Sequence, residues 1–140
     1  MIRLERYFIG IVFANLGVVL VHTVAHLVLQ IVPSPPDTAF ILAVILVGPV
    51  VTLTLLRFSR VLASGLLAIV MGAAFAYGVQ SHFVIPGPDR VAIVTGDPWT
   101  LVFVVTGAIL AVLEVAGIIV GAKLFSRTLR NPSGPRWPRG

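Results

Sequence analysis

Four long runs of apolar residues constrain this chain more than any other feature of its sequence. The predicted spans cover about residues 7–32, 38–56, 61–85 and 99–122. Each is close to or above the roughly 20 residues that cross a hydrocarbon core of about 30 Å. Only 11% of the residues are charged and 58% are hydrophobic, which is too little polarity to cover a water-facing surface. The sequence therefore predicts an all-α, polytopic membrane protein.

The connections between the runs predict how the helices are arranged. Proline-rich turns at 33–37 and 86–98 and a short basic turn at 57–60 favour four transmembrane helices in an antiparallel bundle. The β-branched run at 91–95 predicts a short hairpin-like loop on the outer membrane surface. Each half of the sequence has the same order of features: a basic start, a span that contains histidine, a proline-rich turn and a second span. This order is typical of two repeated helical hairpins, although chance similarity of the proline turns explains it equally well.

Residues 1–130 are predicted to form one four-helix transmembrane domain, followed by a flexible basic tail at 131–140 that is rich in Pro, Gly and Arg. This leaves no room for a separate soluble catalytic domain, so we expect no enzyme activity from the chain on its own. The chain has no cysteine, which excludes disulfides and thiolate metal sites. The net charge of +5 is best explained by topology and attraction to anionic lipid, without nucleic acid.

The positive charges predict the orientation. All lysines and arginines except Arg90 fall on the side of the two termini and the 57–60 turn. By the positive-inside rule, both termini are cytoplasmic and the loops at 33–37 and 86–98 face outward. We expect a multi-pass protein of the cell (plasma or inner) membrane.

Three histidines stand out within the apolar runs: His22, His26 and His82. Ionisable residues in a bilayer are costly unless partnered, so these positions are candidates for a functional site. At about 1.5 Å per residue from the outer span ends, His26 and His82 fall near one depth, and His22 lies one turn deeper. The sequence thus predicts a histidine site on the outward side of the bundle.

Other polar residues lie within the spans: Asn15, Gln30, Thr52, Thr54 and Glu114. Asn15 and Gln30 share one stripe of the first helix with the histidines, a stripe expected to face the bundle interior. Glu114 lies in line with Gly107 and Gly121, and we expect its carboxyl group to be neutral or paired. Asn15, Glu114 and the two threonines are expected to form a deeper polar level.

The histidines leave three interpretations open. In the first, His22, His26 and His82 bind zinc or copper, or His82 and a first-span histidine bind a b-type haem, in a small subunit of a membrane redox complex. In the second, the imidazoles only form hydrogen bonds in a cofactor-free structural or assembly subunit. In the third, they belong to a proton or small-solute conduit. Expected partners are the lipid bilayer and other membrane subunits, or a homo-oligomer.

The orientation can be tested because the chain has no cysteine of its own. Single cysteines at Ser34 and Gly87 should react with a membrane-impermeant thiol reagent added to whole cells, whereas a cysteine at Ser133 should react only after lysis. Labelling of position 133 alone in intact cells would mean that the protein has the opposite orientation.

Overall fold

The computed structural model describes residues 2–87, 89–90 and 97–130, and the regular structure of these residues is helical. The α-helices are α1 (Ile2–Val28), α2 (Pro35–Phe40), α3 (Gly48–Leu56), α4 (Arg60–Val79) and α5 (Pro98–Arg130). A π-helical segment, Ile41–Val47, joins α2 to α3, and another, Gln80–Val84, extends α4.

These elements form four helices long and apolar enough to cross a membrane, namely Arg3–Val28, Pro35–Leu56, Arg60–Val84 and Pro98–Arg130. The predicted all-α, multi-pass class is confirmed at this level. The hairpin-like loop predicted at 91–95 and the flexible tail predicted at 131–140 lie outside the described residues. The internal duplication stays a prediction.

The first helix ends at Val28, before the predicted span end at residue 32, because the chain turns sharply at Gln30. This residue has a φ of 56°, in the left-handed region. The Ile31 N–H donates to the His26 carbonyl at 2.9 Å, and the Gln30 N–H donates to Leu27 at 3.2 Å. This pair of bonds is a Schellman cap, which satisfies the last carbonyls of a helix. Ile31 is buried, so the cap fixes the chain directly beyond His26.

The second span stays helical through Gly48 and Pro49, although a proline inside a helix commonly kinks or ends it. Proline has no N–H and its ring clashes with the preceding turn. The π-helical segment accommodates it by widening, with the Gly48 N–H bonded to the carbonyl of Ala43, five residues back. A Cβ on Gly48 would lie 2.9 Å from Val70 Cγ1. The missing side chain at Gly48 therefore lets the second span approach α4 closely.

The most extensive packing joins α5 to α4 and α5 to α1. The α4–α5 contact depends on Gly121, where an added Cβ would lie 2.9 Å from both the Ala68 nitrogen and the Ser64 carbonyl oxygen. Such small residues let membrane helices approach backbone to backbone. A core cluster fills the space beside this contact and contains Phe8, Val12, Ala63, Leu67, Met71 and Leu124.

An ion pair lies at the end of the helices opposite the histidines. Arg60 Nε is 2.7 Å from Glu5 Oε1, which ties the beginning of α1 to the beginning of α4. The side chains are 34% and 21% exposed, so solvent screens the pair and its contribution to stability is small. The ion pair holds the first turn of α4 beside the first turn of α1.

The close contact at Gly121 leads to a stability prediction. Gly121→Ala should lower the stability of the protein by about 1–3 kcal/mol, since the methyl group would meet main-chain atoms of α4 that cannot move independently. Gly17→Ala is the matched control, because nothing lies within 4 Å of a Cβ at that helical position. Unfolding in mixed detergent micelles, followed by circular dichroism, measures both. Equal stability of the two variants would contradict the proposed role of Gly121.

Candidate metal centre

The chain's three histidines come together at one end of the helices. His22 and His26 lie one turn apart on α1, and His82 lies on the π-helical extension of α4. The ring centroid of His22 lies 4.8 Å from that of His26 and 5.3 Å from that of His82. The centroids of His26 and His82 are 6.0 Å apart. One ring nitrogen from each histidine lies within 4.8 Å of the others. The cluster could therefore hold a metal ion.

A threonine on α5 fixes the protonation of His22. Thr106 Oγ1 lies 2.6 Å from the Val102 carbonyl oxygen, which can only accept, so the hydroxyl donates there. His22 Nδ1 lies 2.8 Å from the same Oγ1 and must therefore donate its N–H to it. A neutral imidazole carries one N–H, so Nε2 of His22 keeps a free lone pair. His22 is only 8% exposed, which makes that lone pair costly to leave unused.

The connection after the third span fixes His82 in the same way. Its Nδ1 lies 3.0 Å from the main-chain carbonyl oxygen of Asp89, which can only accept. His82 therefore donates from Nδ1 and keeps the lone pair on Nε2. Metal-binding histidines commonly donate their other ring N–H to a carbonyl or carboxylate in this manner, which orients the ring and its ligand nitrogen.

His26 completes the cluster, but only one of its two ring nitrogens, Nε2, has a hydrogen-bond partner among the described residues. Its Nε2 lies 3.2 Å from His22 Nε2, which has a lone pair, so in the neutral cluster His26 must donate from Nε2. Its Nδ1 then carries the lone pair and lies 3.9 Å from the carboxylate oxygen Oδ1 of Asp89. Both atoms are buried and have no hydrogen-bond partner among the described residues. If a cation lay between the two Nε2 atoms, His26 Nε2 would bind it through a lone pair. The single N–H of His26 would then be on Nδ1, where it points to the carboxylate of Asp89.

The spacing of the nitrogens suits a tetrahedral ion. Two nitrogens bound to one zinc at about 2.0–2.1 Å are about 3.3 Å apart in tetrahedral geometry. The Nε2 atoms of His22 and His26 are 3.2 Å apart, which matches this value. The widest separation within the three-nitrogen set is 4.8 Å, so side-chain rotation must shorten it by about 1.5 Å on binding.

An aromatic ring closes one side of the cluster. The Phe103 ring centroid lies 4.9 Å from His22, 5.0 Å from His26 and 5.1 Å from His82. Phe103 is 1% exposed and belongs to a small core with Ala25 and Ile31. Its apolar ring offers no ligand atom, so any further ligand of an ion held by the histidines would have to approach from another side.

The three histidines form part of the wall of a cavity of about 650 Å³. The cavity lies between α1, the second span, α4 and α5, and most of its wall is apolar. Its polar wall residues include Gln30, Tyr77, Asp89 and Glu114. A volume of this size is typical of small-molecule sites in proteins.

The other polar residues singled out in the spans do not all join this site. Gln30 and Glu114 line the cavity. Thr52 and Thr54 bond to main-chain carbonyls of their own helix, at Pro49 and Val50. Asn15 is 2% exposed, and its Nδ2 has no hydrogen-bond partner among the described residues. Among the described residues, no side-chain hydrogen bond joins Asn15, the threonines and Glu114 into the expected deeper level.

Sequence reasoning missed three residues that surround the histidines, namely Asp89, Phe103 and Thr106. The signal for Asp89 was present, since it lies in a proline-rich turn only seven residues after His82. Phe103 and Thr106 carry no such signal, because apolar and threonine residues are common throughout the last span. They face the imidazoles because of how α5 is rotated relative to α1, and the sequence does not give this rotation.

Comparison with known proteins gives no family for this chain. No protein-family model matches it, and neither the curated proteins nor the solved structures contain a match. The geometry of the histidine cluster is therefore the main indication of function.

The hydrogen bond from His22 to Thr106 can be tested by an isosteric change. Thr106→Val should lower the affinity for zinc about 10- to 100-fold, because the ring of His22 loses the acceptor that orients it. Thr128→Val is the matched control, since that hydroxyl also bonds to a main-chain carbonyl of α5, at Leu124. Competition with a fluorescent zinc chelator measures the affinity. An unchanged affinity in Thr106→Val would mean that Thr106 does not position His22.

Proposed function

We propose that this protein is a small integral membrane protein that binds one divalent transition metal ion through His22, His26 and His82. The observation that carries the proposal is the hydrogen-bond pattern of the three rings. His22 and His82 donate from Nδ1 and keep Nε2 free, and the Nε2 atoms of His22 and His26 face each other at 3.2 Å. In the neutral cluster this is an N–H facing a lone pair, and it leaves His26 Nδ1 and Asp89 Oδ1 buried without partners among the described residues. A cation between the Nε2 atoms would accept a lone pair from each and move the His26 N–H to Nδ1, beside Asp89.

The donor set favours zinc or copper(II) over copper(I). Neutral imidazole nitrogens suit zinc and copper(II), whereas copper(I) favours the sulfur ligands of cysteine and methionine. The chain has no cysteine, and its cluster contains three imidazoles. Binding would also satisfy Asp89, because His26 Nδ1 becomes a donor beside the buried carboxylate.

The same geometry argues against a haem shared by His26 and His82. The macrocycle would have to pass between these two rings, whose centroids are 6.0 Å apart. His22 lies 4.8 and 5.3 Å from the two ring centroids, and Phe103 lies 5.0 and 5.1 Å from them. These two neighbours occupy space that the macrocycle needs, so we propose a single ion.

In this proposal the four helices form an antiparallel bundle in the cell membrane, with both termini cytoplasmic and the metal near the outer surface. The unequal division of lysine and arginine supports the orientation. Three protein ligands leave a fourth position open on zinc, as in sites where the metal meets a substrate or a partner's ligand. We therefore favour a metal-binding subunit, associated with other membrane subunits or with copies of itself, over a purely structural one.

Metal binding tests the proposal directly. Purified protein in detergent, stripped with chelator, should bind one zinc ion per chain by isothermal titration calorimetry. His26→Ala and His82→Ala should each weaken binding by about 100-fold or more, because two ligands cannot complete the site. Gln80→Ala changes an exposed residue on the same π-helical segment as His82 and should leave the affinity unchanged. Binding should weaken on acidification, because protons compete for the imidazole lone pairs.

Two outcomes would contradict the proposal. One is the absence of stoichiometric zinc or copper(II) binding in folded wild-type protein. The other is binding that the single histidine changes leave intact, which would locate the ion elsewhere. Thermal unfolding of each variant without metal shows whether a lost signal reflects a lost ligand or a lost fold.

A further inference from the structure

The cavity beside the histidines contains a second chemical feature, the carboxyl group of Glu114. This side chain is 5% exposed and forms part of the cavity wall on α5. Within residues 2–87, 89–90 and 97–130 it has no hydrogen-bond or ion-pair partner. A buried carboxyl group without a partner is costly, particularly at the level of lipid chains. A ligand in the cavity that donates or accepts a hydrogen bond would remove that cost.

The position of Glu114 relative to the histidines limits the size of such a ligand. A Cβ on Gly107 would lie 3.6 Å from His22 Cε1, so this turn of α5 marks the level of the cluster. Glu114 lies seven residues further along α5, or about 10 Å at 1.5 Å per residue. Helical side chains lean toward the helix N-terminus, which brings the carboxyl group back toward the cluster. The carboxyl group is therefore separated from the level of the cluster by less than this distance along α5.

The wall between these two polar points is apolar. Leu110 and Ala111 line it on α5, and Ile45, Leu46 and Ala74 line it from the second span and α4. A flat apolar ring with oxygen atoms on two opposite sides fits this arrangement. One oxygen would reach the open coordination position, and the other would reach Glu114.

The cavity also has a route from the lipid. The outer part of the second span, α2, packs against its own π-helical continuation and makes no close main-chain contact with α1 among the described residues. Leu27 on α1 and Leu42 on the second span both line the cavity and are 72% and 51% exposed. Because both leucines are apolar and exposed outside the cavity, an alkyl chain that leaves beside them would stay in contact with the bilayer.

We propose that this cavity binds a lipid-soluble quinol, with one oxygen on the metal, the other hydrogen-bonded to Glu114, and the alkyl tail leaving between α1 and the second span. The proposal rests on the proposed metal site, and it concerns binding only. The two polar points, the apolar wall and the exposed leucines together select this chemical class.

The test uses the full chain in phosphatidylcholine nanodiscs, loaded with zinc, and decylubiquinol as the probe. Glu114→Leu should weaken decylubiquinol binding about tenfold or more, because it removes one buried hydrogen bond. Glu114→Gln keeps the ability to form hydrogen bonds and should bind within about threefold of wild type. Decanol has a comparable alkyl chain but only one oxygen, so its affinity should not change in Glu114→Leu.

A second variant tests the location by filling the cavity. Ala111→Phe should abolish decylubiquinol binding, since the added ring takes the space between the cluster and Glu114. Ile109→Phe adds the same ring to α5 at a residue that is 42% exposed and outside the cavity wall, and it should bind normally. Both variants should keep the wild-type affinity for zinc, which also shows that they are folded.

The outcomes separate this proposal from the metal site. Zinc binding without decylubiquinol binding, or quinol binding that tolerates Ala111→Phe, overturns the quinol site and leaves the metal site standing. Decanol binding with the same dependence on Glu114 overturns the two-oxygen ligand class. Loss of zinc binding in the wild type refutes the metal site, and quinol binding that survives without zinc overturns the metal-bound oxygen.

Discussion

The histidine cluster depends on the packing of α5 against both α1 and α4. Gly121 removes the side chain where α5 meets the Ser64 and Ala68 main chain, so the two helices pack closely. Toward the other end of α5, Phe103 and Thr106 lie against the histidines. Because α5 is one continuous helix, a contact made at Gly121 sets the rotation of the residues that meet the imidazoles. The cluster is therefore held by packing that lies well away from it.

Within the cluster, Asp89 supports two histidines with two different groups. Its main-chain carbonyl accepts from His82 Nδ1, and its carboxylate lies near His26 Nδ1. Thr106 does the corresponding work for His22 from α5. Each imidazole thus has an oxygen near Nδ1, as in metal sites whose histidines bind the ion through Nε2. Lipid chains offer no hydrogen-bond partners, so the Nδ1 atoms of the three histidines depend on oxygen atoms of the protein.

The sequence predicted part of this site because part of it follows from local geometry. The shared depth of His26 and His82 follows from a fixed rise per residue. The same counting predicted a deeper polar level that includes Thr52 and Thr54, but it could not show that both hydroxyls bond to the preceding turn of their own helix. It also missed Thr106, since hydrophobic periodicity does not give the rotation of one apolar helix against another.

The sequence by itself determined the number of membrane-spanning segments and the i, i+4 pairing of His22 with His26, because the length and period of a helix are local properties. Only the tertiary structure decided that His82, Asp89 and Thr106 meet that pair, and that Glu114 lines the same cavity. The depth and rotation of helices that are apolar on nearly all sides are set by close contacts between small residues. Such contacts join residues far apart in the chain, and no local pattern specifies them.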